Sequence, residues 1–442
     1  MSSQNRAELL VNGHAILPSL LADLRAATTA VHVSIFLWFR DPIGDEVADV
    51  LIERVRAGVT VRVLLNVEKT AMGDPFSTGE AEMMKHDPSV EHDPTDVKPL
   101  CARMRAAGIE VHDTNIDYDA KLPGLNERLQ SLSAQIADAI AIDDLHIDHR
   151  KVIVIDGRVA YCGGANIGAQ YMHHVAFDPG KNAEREGEER KKAGLEEPWW
   201  KWHDSLTRFD GPIAAELDRA FHERFVLDGG RDFELPIRAK SLAVEPRGQP
   251  IRAATLLCNS PMPTPNEVRE KYLELIAGAE RSIFIENPYL YHPAIVDALC
   301  DARRARPDLS VILLLPSREF NDNEFSADAQ QHWYARYLEH GIEVYEYENH
   351  FTHMKLAVFD ERFSIHGSTN GNFRSLEDDK DFELVVLVDD EPFAQRVLRA
   401  VRDVDLLHSH RITKEHLDGS LSGFRMRHRD PRTLYLVAER IL

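Results

Sequence analysis

Cysteine is scarce in this chain, with four among 442 residues. Cys101, Cys162, Cys258 and Cys300 lie far apart and never in a CxxC spacing, which excludes a structural zinc knuckle and a disulfide scaffold and points to a reducing compartment. They read as small buried hydrophobes. Long apolar runs are also missing. No stretch approaches the roughly 20 residues of a membrane span, and the opening MSSQNRAELL has neither the basic nor the apolar region of a secretory signal. A soluble, cytoplasmic chain is therefore expected, making no more than peripheral contact with a membrane. Basic charge is in deficit: 52 Lys and Arg against 73 Asp and Glu leave a formal charge of −21. Such a field repels polyanions unless a local basic site overrides it, so nonspecific nucleic-acid binding is disfavoured.

What is present is ordinary globular material, 43% hydrophobic and 28% charged, which excludes disorder and collagen-like repetition. The length suits two large lobes. Self-similarity is more informative. HRKVIVIDGRVAYCGGAN, beginning at His149, matches HMKLAVFDERFSIHGSTN, beginning at His353. His353, Lys355, Asp360, Gly367 and Asn370 each stand 204 positions after their counterparts His149, Lys151, Asp156, Gly163 and Asn166.

The surroundings repeat as well. AVHVSIFLWF reads as a buried strand, DEVADVLIERVRAGV as an amphipathic helix and VRVLLNV as the next strand. ERSIFIENPYL, PAIVDALCDARRA and LSVILLLP repeat that order. CARMRAAGIEVHD and YLEHGIEVYEY each read as a helix turning through a glycine into a strand. The expected fold is α/β: two similar α/β/α sandwich lobes, each with a mixed sheet, forming a pseudo-dimer. LPIRAKSLAVEPRGQP loses periodicity, so the lobes are placed at 1–245 and 246–442. The first lobe is longer. Lys69 to Lys98, Asp117 to Leu145 and His173 to Pro198 read as insertions, the last with the charge run KNAEREGEERKKAGLEE as a solvated segment.

Within each motif the residues after the histidine alternate as a strand, so His149 and Lys151 share a face, as do His353 and Lys355. Asp156-Gly157 reads as a tight turn into a hairpin that returns Asn166 toward the strand start. Asn370 returns in the same way. Gly163, Gly164 and Gly367 allow close backbone approach, while Ser368 puts a hydroxyl where the first copy has Gly164. Imidazole, ammonium and amide without a metal-ligand spacing suit an anion, and the doubling suggests one phosphoryl group clamped from two sides. One histidine can attack phosphorus while the other protonates the departing oxygen, and two lysines stabilise the non-bridging oxygens. No metal and no cofactor is expected.

The doubled pattern HxK(x4)D(x6)G[GS]xN resembles the paired HKD signature of the phospholipase D superfamily, and the surrounding repeat extends the likeness over most of residues 10 to 400. The resemblance implies a metal-independent phosphodiesterase or phosphatidyltransferase with the site between two phospholipase D-like lobes. It implies a covalent phosphohistidine on His149, with His353 as general acid. It further implies an acidic partner for each histidine: Asp204, in WHDSLTRFDGP, for His149, and Glu383, in FRSLEDDKDFELVV, for His353. Asn166, Asn370 and Ser368 are the expected phosphate-binding groups. Asp156 and Asp360 are expected to brace the structure.

The order of the repeat resembles the cardiolipin synthase-like branch, which implies a phospholipid substrate and an alcohol or water acceptor. A nuclease or other phosphodiesterase of the same superfamily is the alternative, opposed by the net charge, and a non-catalytic phosphate-binding scaffold is disfavoured by two intact motifs. His146, Asp148 and the pair His173-His174 read as polar residues near the site, and His86 and His92 as a polar loop. Trp199, Trp200 and Trp202 read as packing residues, with a membrane-facing role as the alternative.

Overall fold

A computed structural model of the chain describes residues 4–67, 95–114, 147–174, 201–235, 246–259, 266–322, 324–348, 350–378 and 380–417. His86, His92, His146, Trp199, Trp200 and most of the three expected insertions lie outside these residues.

The first sheet is built from β1 (Arg6–Val11), β2 (Ala30–Ile35), β3 (Thr60–Leu65), β4 (Glu110–Asp113), β5 (Val152–Ile155), β6 (Val159–Gly163), β7 (Ser205–Asp210) and β8 (Gln249–Pro250). The second takes β9 (Ala253–Asn259), β10 (Ser282–Glu286), β11 (Ser310–Pro316), β12 (Glu343–Tyr347), β13 (Leu356–Phe359), β14 (Phe363–Gly367), β15 (Glu383–Asp389) and β16 (Ser409–Arg411). Their orders are β4-β3-β2-β5-β6-β7-β1-β8 and β16-β12-β11-β10-β13-β14-β15-β9. The pseudo-dimer is thus explicit, since the run from β4 to β7 in one sheet repeats as the run from β12 to β15 in the other. The strands β2, β3 and β4 are mutually parallel, as are β10, β11 and β12. Parallel neighbours need a crossover, and the helices Pro42–Arg56, Lys98–Ala106, Pro293–Ala305 and Glu324–Glu339 supply it.

Both motif hairpins form as expected. β5 pairs antiparallel with β6 around Asp156 and Gly157, both at positive φ, and β13 pairs with β14 around Asp360 and Glu361, again at positive φ. Because side chains alternate along a strand, Ile153 and Ile155 enter one core while Val152 and Val154 enter another. That second core joins the lobes: Val152, Val154 and Cys162 from the first lie in one cluster with Leu356, Val358, Leu384 and Val386 from the second. The four cysteines are unpaired thiols, and burial pushes Cys101 up to about 11.

Gln249–Pro250 pair with Arg6 and Ala7, and Ile251 N–H donates to Asn5 O. The first sheet therefore reaches past the boundary expected at residue 245, because the edge of β1 left unpaired by β7 is still available for pairing. No helix among the described residues is long and apolar enough to cross a membrane.

Candidate active site

Each motif histidine sits just ahead of its hairpin strand, where the chain crosses to the other lobe. His149 N–H donates to Phe382 O and Phe382 N–H to Ile147 O. In the other half His353 N–H donates to His203 O at 2.7 Å and His203 N–H to Phe351 O. These two bridges set His149 beside β15 of the second lobe and His353 beside β7 of the first.

The carboxylate partners follow from that crossing, and they are the reverse of those expected. His149 Nδ1 lies 2.8 Å from Glu383 Oε1, and His353 Nδ1 lies 2.7 Å from Asp204 Oδ2. Asp204 does not hold His149, and Glu383 does not hold His353. The reason is topological. Within one sheet the strand at the carboxylate is separated from the histidine's strand by β6 or β14, so each carboxylate reaches the histidine that bridges over from the opposite lobe.

The dyads differ in how the carboxylate is held. Glu383 accepts from Ser375 Oγ at 2.5 Å and from Ser368 Oγ. Burial works to raise its carboxyl, but His149, Lys151 and the Ser368 hydroxyl outweigh this and hold it below the ordinary range. Asp204 has the amide of Ser205 at 2.7 Å and no hydroxyl in the place of Ser368, because Gly164 stands there. A Cβ on Gly164 would come 2.3 Å from Asp204 Oδ1, so this glycine makes room for the carboxylate. Burial raises Asp204 to about 7, against the pull of Lys355. Ser368 Oγ in turn accepts from the Leu384 amide at 3.1 Å. This hydroxyl, expected among the phosphate-binding groups, lies between Glu383 and the backbone because β14 and β15 lie side by side.

Lys151 and Lys355 are buried, and their ammonium groups donate to the carbonyls of His149 at 2.6 Å and His353 at 2.8 Å. Burial lowers Lys151 to about 7 and Lys355 to about 8, with Glu383 and Asp204 pulling the other way. Burial likewise lowers both histidines, His353 the further of the two, helped by Lys355, Lys151 and His149. The two motifs thus form one electrostatic unit. Asn166 Oδ1 accepts from Leu37 N–H at 3.0 Å, while the Asn370 side-chain oxygen has no hydrogen-bond partner among the described residues.

Asp156 and Asp360 stand at the far end of their strands and brace. Asp156 accepts from the amides of Thr28, Thr29 and Ala30 and from the Thr28 hydroxyl. Asp360 accepts from the amides of Glu280, Arg281 and Ser282. Asp148 is tied to Arg150 and Arg224, whose guanidinium groups lie over the ring of Phe382. His174 pairs with Glu46. Trp202 is a packing residue, edge-on to Tyr171 and Phe351 and 5.2 Å from the His353 ring.

Three features were not anticipated from sequence: Ser375, the aromatic wall of Tyr171, Trp202 and Phe351 at His353, and a buried group of His203, Glu286 and Asp405. The third is the group of cation-binding composition found among the described residues, its donor atoms within 4.8 Å of one another. His203 adjoins Asp204 in the sequence, which was the available signal for it. Nothing in the sequence marks Ser375 or Asp405.

Two like lobes, a histidine and lysine from each, and a crossed carboxylate behind each histidine define an enzyme of the phospholipase D superfamily. The family described as "Cardiolipin synthase, PLD-like domain" matches residues 20–176 and 272–403, and the chain belongs to it. Cardiolipin synthase 1 of Staphylococcus epidermidis is 25% identical over 422 residues, 95% of this chain and 71% of the relative. Cardiolipin synthase 2 of Bacillus cereus is 25% identical over 417 residues, 94% of this chain and 67% of the relative. Among solved structures, phosphatidylserine synthase of Haemophilus influenzae shares the fold, with a TM-score of 0.59, 12% identity, and coverage of 99% of this chain and 95% of that one.

Proposed function

We propose that the chain is a phosphatidyltransferase that moves a phosphatidyl group from a phospholipid to an alcohol, as a cardiolipin synthase does, through a covalent phosphohistidine on His149. The observation that carries this reading is the unequal pair of dyads. An ionised Glu383 accepts from His149 Nδ1–H, which leaves the Nε2 lone pair free to attack. Asp204, raised to about 7, holds a proton near neutrality and donates it to His353 Nδ1, which leaves Nε2–H free to give. The two imidazoles then have opposite tautomers without either being charged.

In the first step the His149 Nε2–P bond forms and the P–O bond to the departing alcohol breaks, the leaving oxygen taking the Nε2 proton of His353. The Asp204 proton passes to His353 Nδ1 as it does so, and the dyad keeps one proton fewer. In the second step the acceptor hydroxyl returns a proton to His353 Nε2, the Nδ1 proton goes back to Asp204, the acceptor oxygen bonds to phosphorus, and the N–P bond breaks. Lys151 and Lys355 oppose the charge that grows on the non-bridging oxygens. The Asn370 amide is available to the same oxygens.

The phospholipid donor and the peripheral membrane contact are inferred from the relatives named above. The test is mass spectrometry of products from mixed phosphatidylglycerol, phosphatidylethanolamine and phosphatidylcholine vesicles containing ethanol. Cardiolipin or phosphatidylethanol, absent with His149→Ala and unaffected by chelator, is the expected result. Phosphatidic acid alone would make the enzyme a hydrolase. No His149-dependent product would point to another phosphodiester.

A further inference from the structure

Next to Asp204 in the chain, His203 meets Glu286 and Asp405, with exposures of 2%, 0% and 1%. His203 belongs to the first lobe, while Glu286 ends β10 and Asp405 closes the short helix Arg402–Asp405 in the second. The His203 ring stacks on Tyr347 at 4.9 Å.

The hydrogen on this imidazole can be placed. His203 Nδ1 is 2.9 Å from Asn12 Oδ1. That atom also accepts from the Asp204 amide at 3.2 Å, which identifies it as the oxygen of the side chain. An oxygen accepts only, so Nδ1 carries the hydrogen. Nε2 therefore presents a lone pair, and Asp405 Oδ2 faces it at 3.0 Å with Glu286 Oε1 at 3.8 Å. A lone pair against a bare carboxylate would put two buried acceptors in contact, and burying a polar group without a hydrogen-bond partner is costly. Something positive must lie between them: a proton on Asp405, a second proton on His203, or a cation.

The charge count decides among these. The groups that act on the two carboxyls are His203, Thr352 and one another, with no lysine or arginine among them. An imidazolium would need at least one bare carboxylate beside it, an ion pair buried from water, and burial works against the charged form of every member. Protons on the carboxyls leave no net charge. We propose that Asp405 keeps its proton and donates it to His203 Nε2, so that His203, Asp405 and Glu286 form an uncharged link between the lobes that positions the Asp204–His353 dyad.

The pseudo-symmetry of the chain says why this is more than packing. The residue that plays the part of His203 in the other half is Phe382, whose carbonyl accepts from His149 N–H with an apolar ring beneath. The β2 residue matching Glu286 is Ser34, as the pairings Val31 with Ile155 and Ile283 with Phe359 show. The bridge alone requires neither the imidazole nor the acids. They stand behind the histidine whose carboxylate lacks the counterpart of the Ser368 hydroxyl. Asn12 and Asp405 clasp the His203 ring from the two lobes, and His203 O holds the His353 amide. Asp405 and Glu286 are positioning residues, and their link to turnover rests on the function proposed above, while their protonation does not.

The test therefore reads both. Nitrogen NMR of the full-length protein labelled at histidine, with His203 assigned through His203→Gln, should show a neutral Nδ1–H ring unchanged between about pH 6 and 8. An imidazolium signal in that range, or close to one bound metal per chain by elemental analysis, would overturn the proposal. Asp405→Asn keeps an N–H donor toward Nε2, so it should retain the melting temperature and kcat within about twofold, whereas Asp405→Ala should lower kcat about tenfold with KM little changed. Equal loss in Asn and Ala, with the fold intact, would also sink it. If the protein turns over no phospholipid at all, the NMR result and the melting temperatures still decide the protonation.

Discussion

Lys151 is 1% exposed, and in the function proposed above it opposes charge on the reacting phosphoryl group. Its ammonium donates to one backbone carbonyl, lies 4.9 Å from the centre of the Phe36 ring, and is acted on by Glu383, Lys355 and Asp204. The folded value of about 7 lies below the ordinary 10.5. The unfolded chain therefore binds the extra proton across that window, and the sign follows: this residue costs stability below about pH 7, and the cost fades as pH rises from about 7 to 10.5. Lys151→Met is expected to raise the melting temperature at pH 7 by about 2–5 °C while lowering turnover about a hundredfold or more. Scanning calorimetry and the vesicle assay read the two effects separately. For the free enzyme, kcat/KM should fall above about pH 7 to 8, as Asp204 gives up the proton that sets the His353 tautomer and Lys151 and then Lys355 give up theirs. A profile flat to about pH 9 would show that neither lysine is needed charged.

At the scale of elements, the hairpins do two jobs at opposite ends. Asp156 gathers three amides and a hydroxyl at the turn end, so Asp156→Ala should cost about 3 kcal/mol of stability, measured by denaturant titration, with little change in kcat for the protein that remains folded. Gly164 serves the other end. Gly164→Ala should leave the hairpin paired yet displace Asp204, and turnover should fall at least about a hundredfold without matching loss of melting temperature. Much at this scale was legible beforehand because it arises inside one element: the period of two aligns His149 with Lys151, and the Asp-Gly pair marks the turn. The partners of the histidines were not legible. Asp204 and Glu383 each sit two strands away from the motif strand of their own lobe, and which histidine each one meets depends on where the chain bridges between lobes. No spacing within a strand encodes that choice. Asp405 escaped for the same reason, since it reaches His203 across 202 positions. Ser375 meets Glu383 from the single-turn helix Phe373–Leu376, too short to carry a periodic signal, and β8 is too short as well.

At the scale of the whole molecule, the crossing of the dyads makes the pair of lobes a single chemical unit. His149 needs Glu383 of the second lobe, and His353 needs Asp204 of the first, so a shift of one sheet against the other would break both dyads together. The core shared by Val152, Val154, Leu356 and Val358 resists that shift. The whole chain carries a net charge of −21, which, on the function proposed above, sets how a substrate held in an anionic bilayer is approached. Long-range repulsion between protein and vesicle is screened by salt, with a Debye length of about 8 Å at 0.15 M and about 30 Å at 0.01 M. Turnover on phosphatidylglycerol-rich vesicles is therefore expected to rise as ionic strength increases from about 0.01 to 0.15 M, with no such rise on a small soluble phosphodiester. An enzyme that tracked a polyanion through a basic groove would lose binding over the same range. Initial rates at several salt concentrations separate the two: a steep fall with salt would show that a local basic surface, not the net charge, governs the encounter.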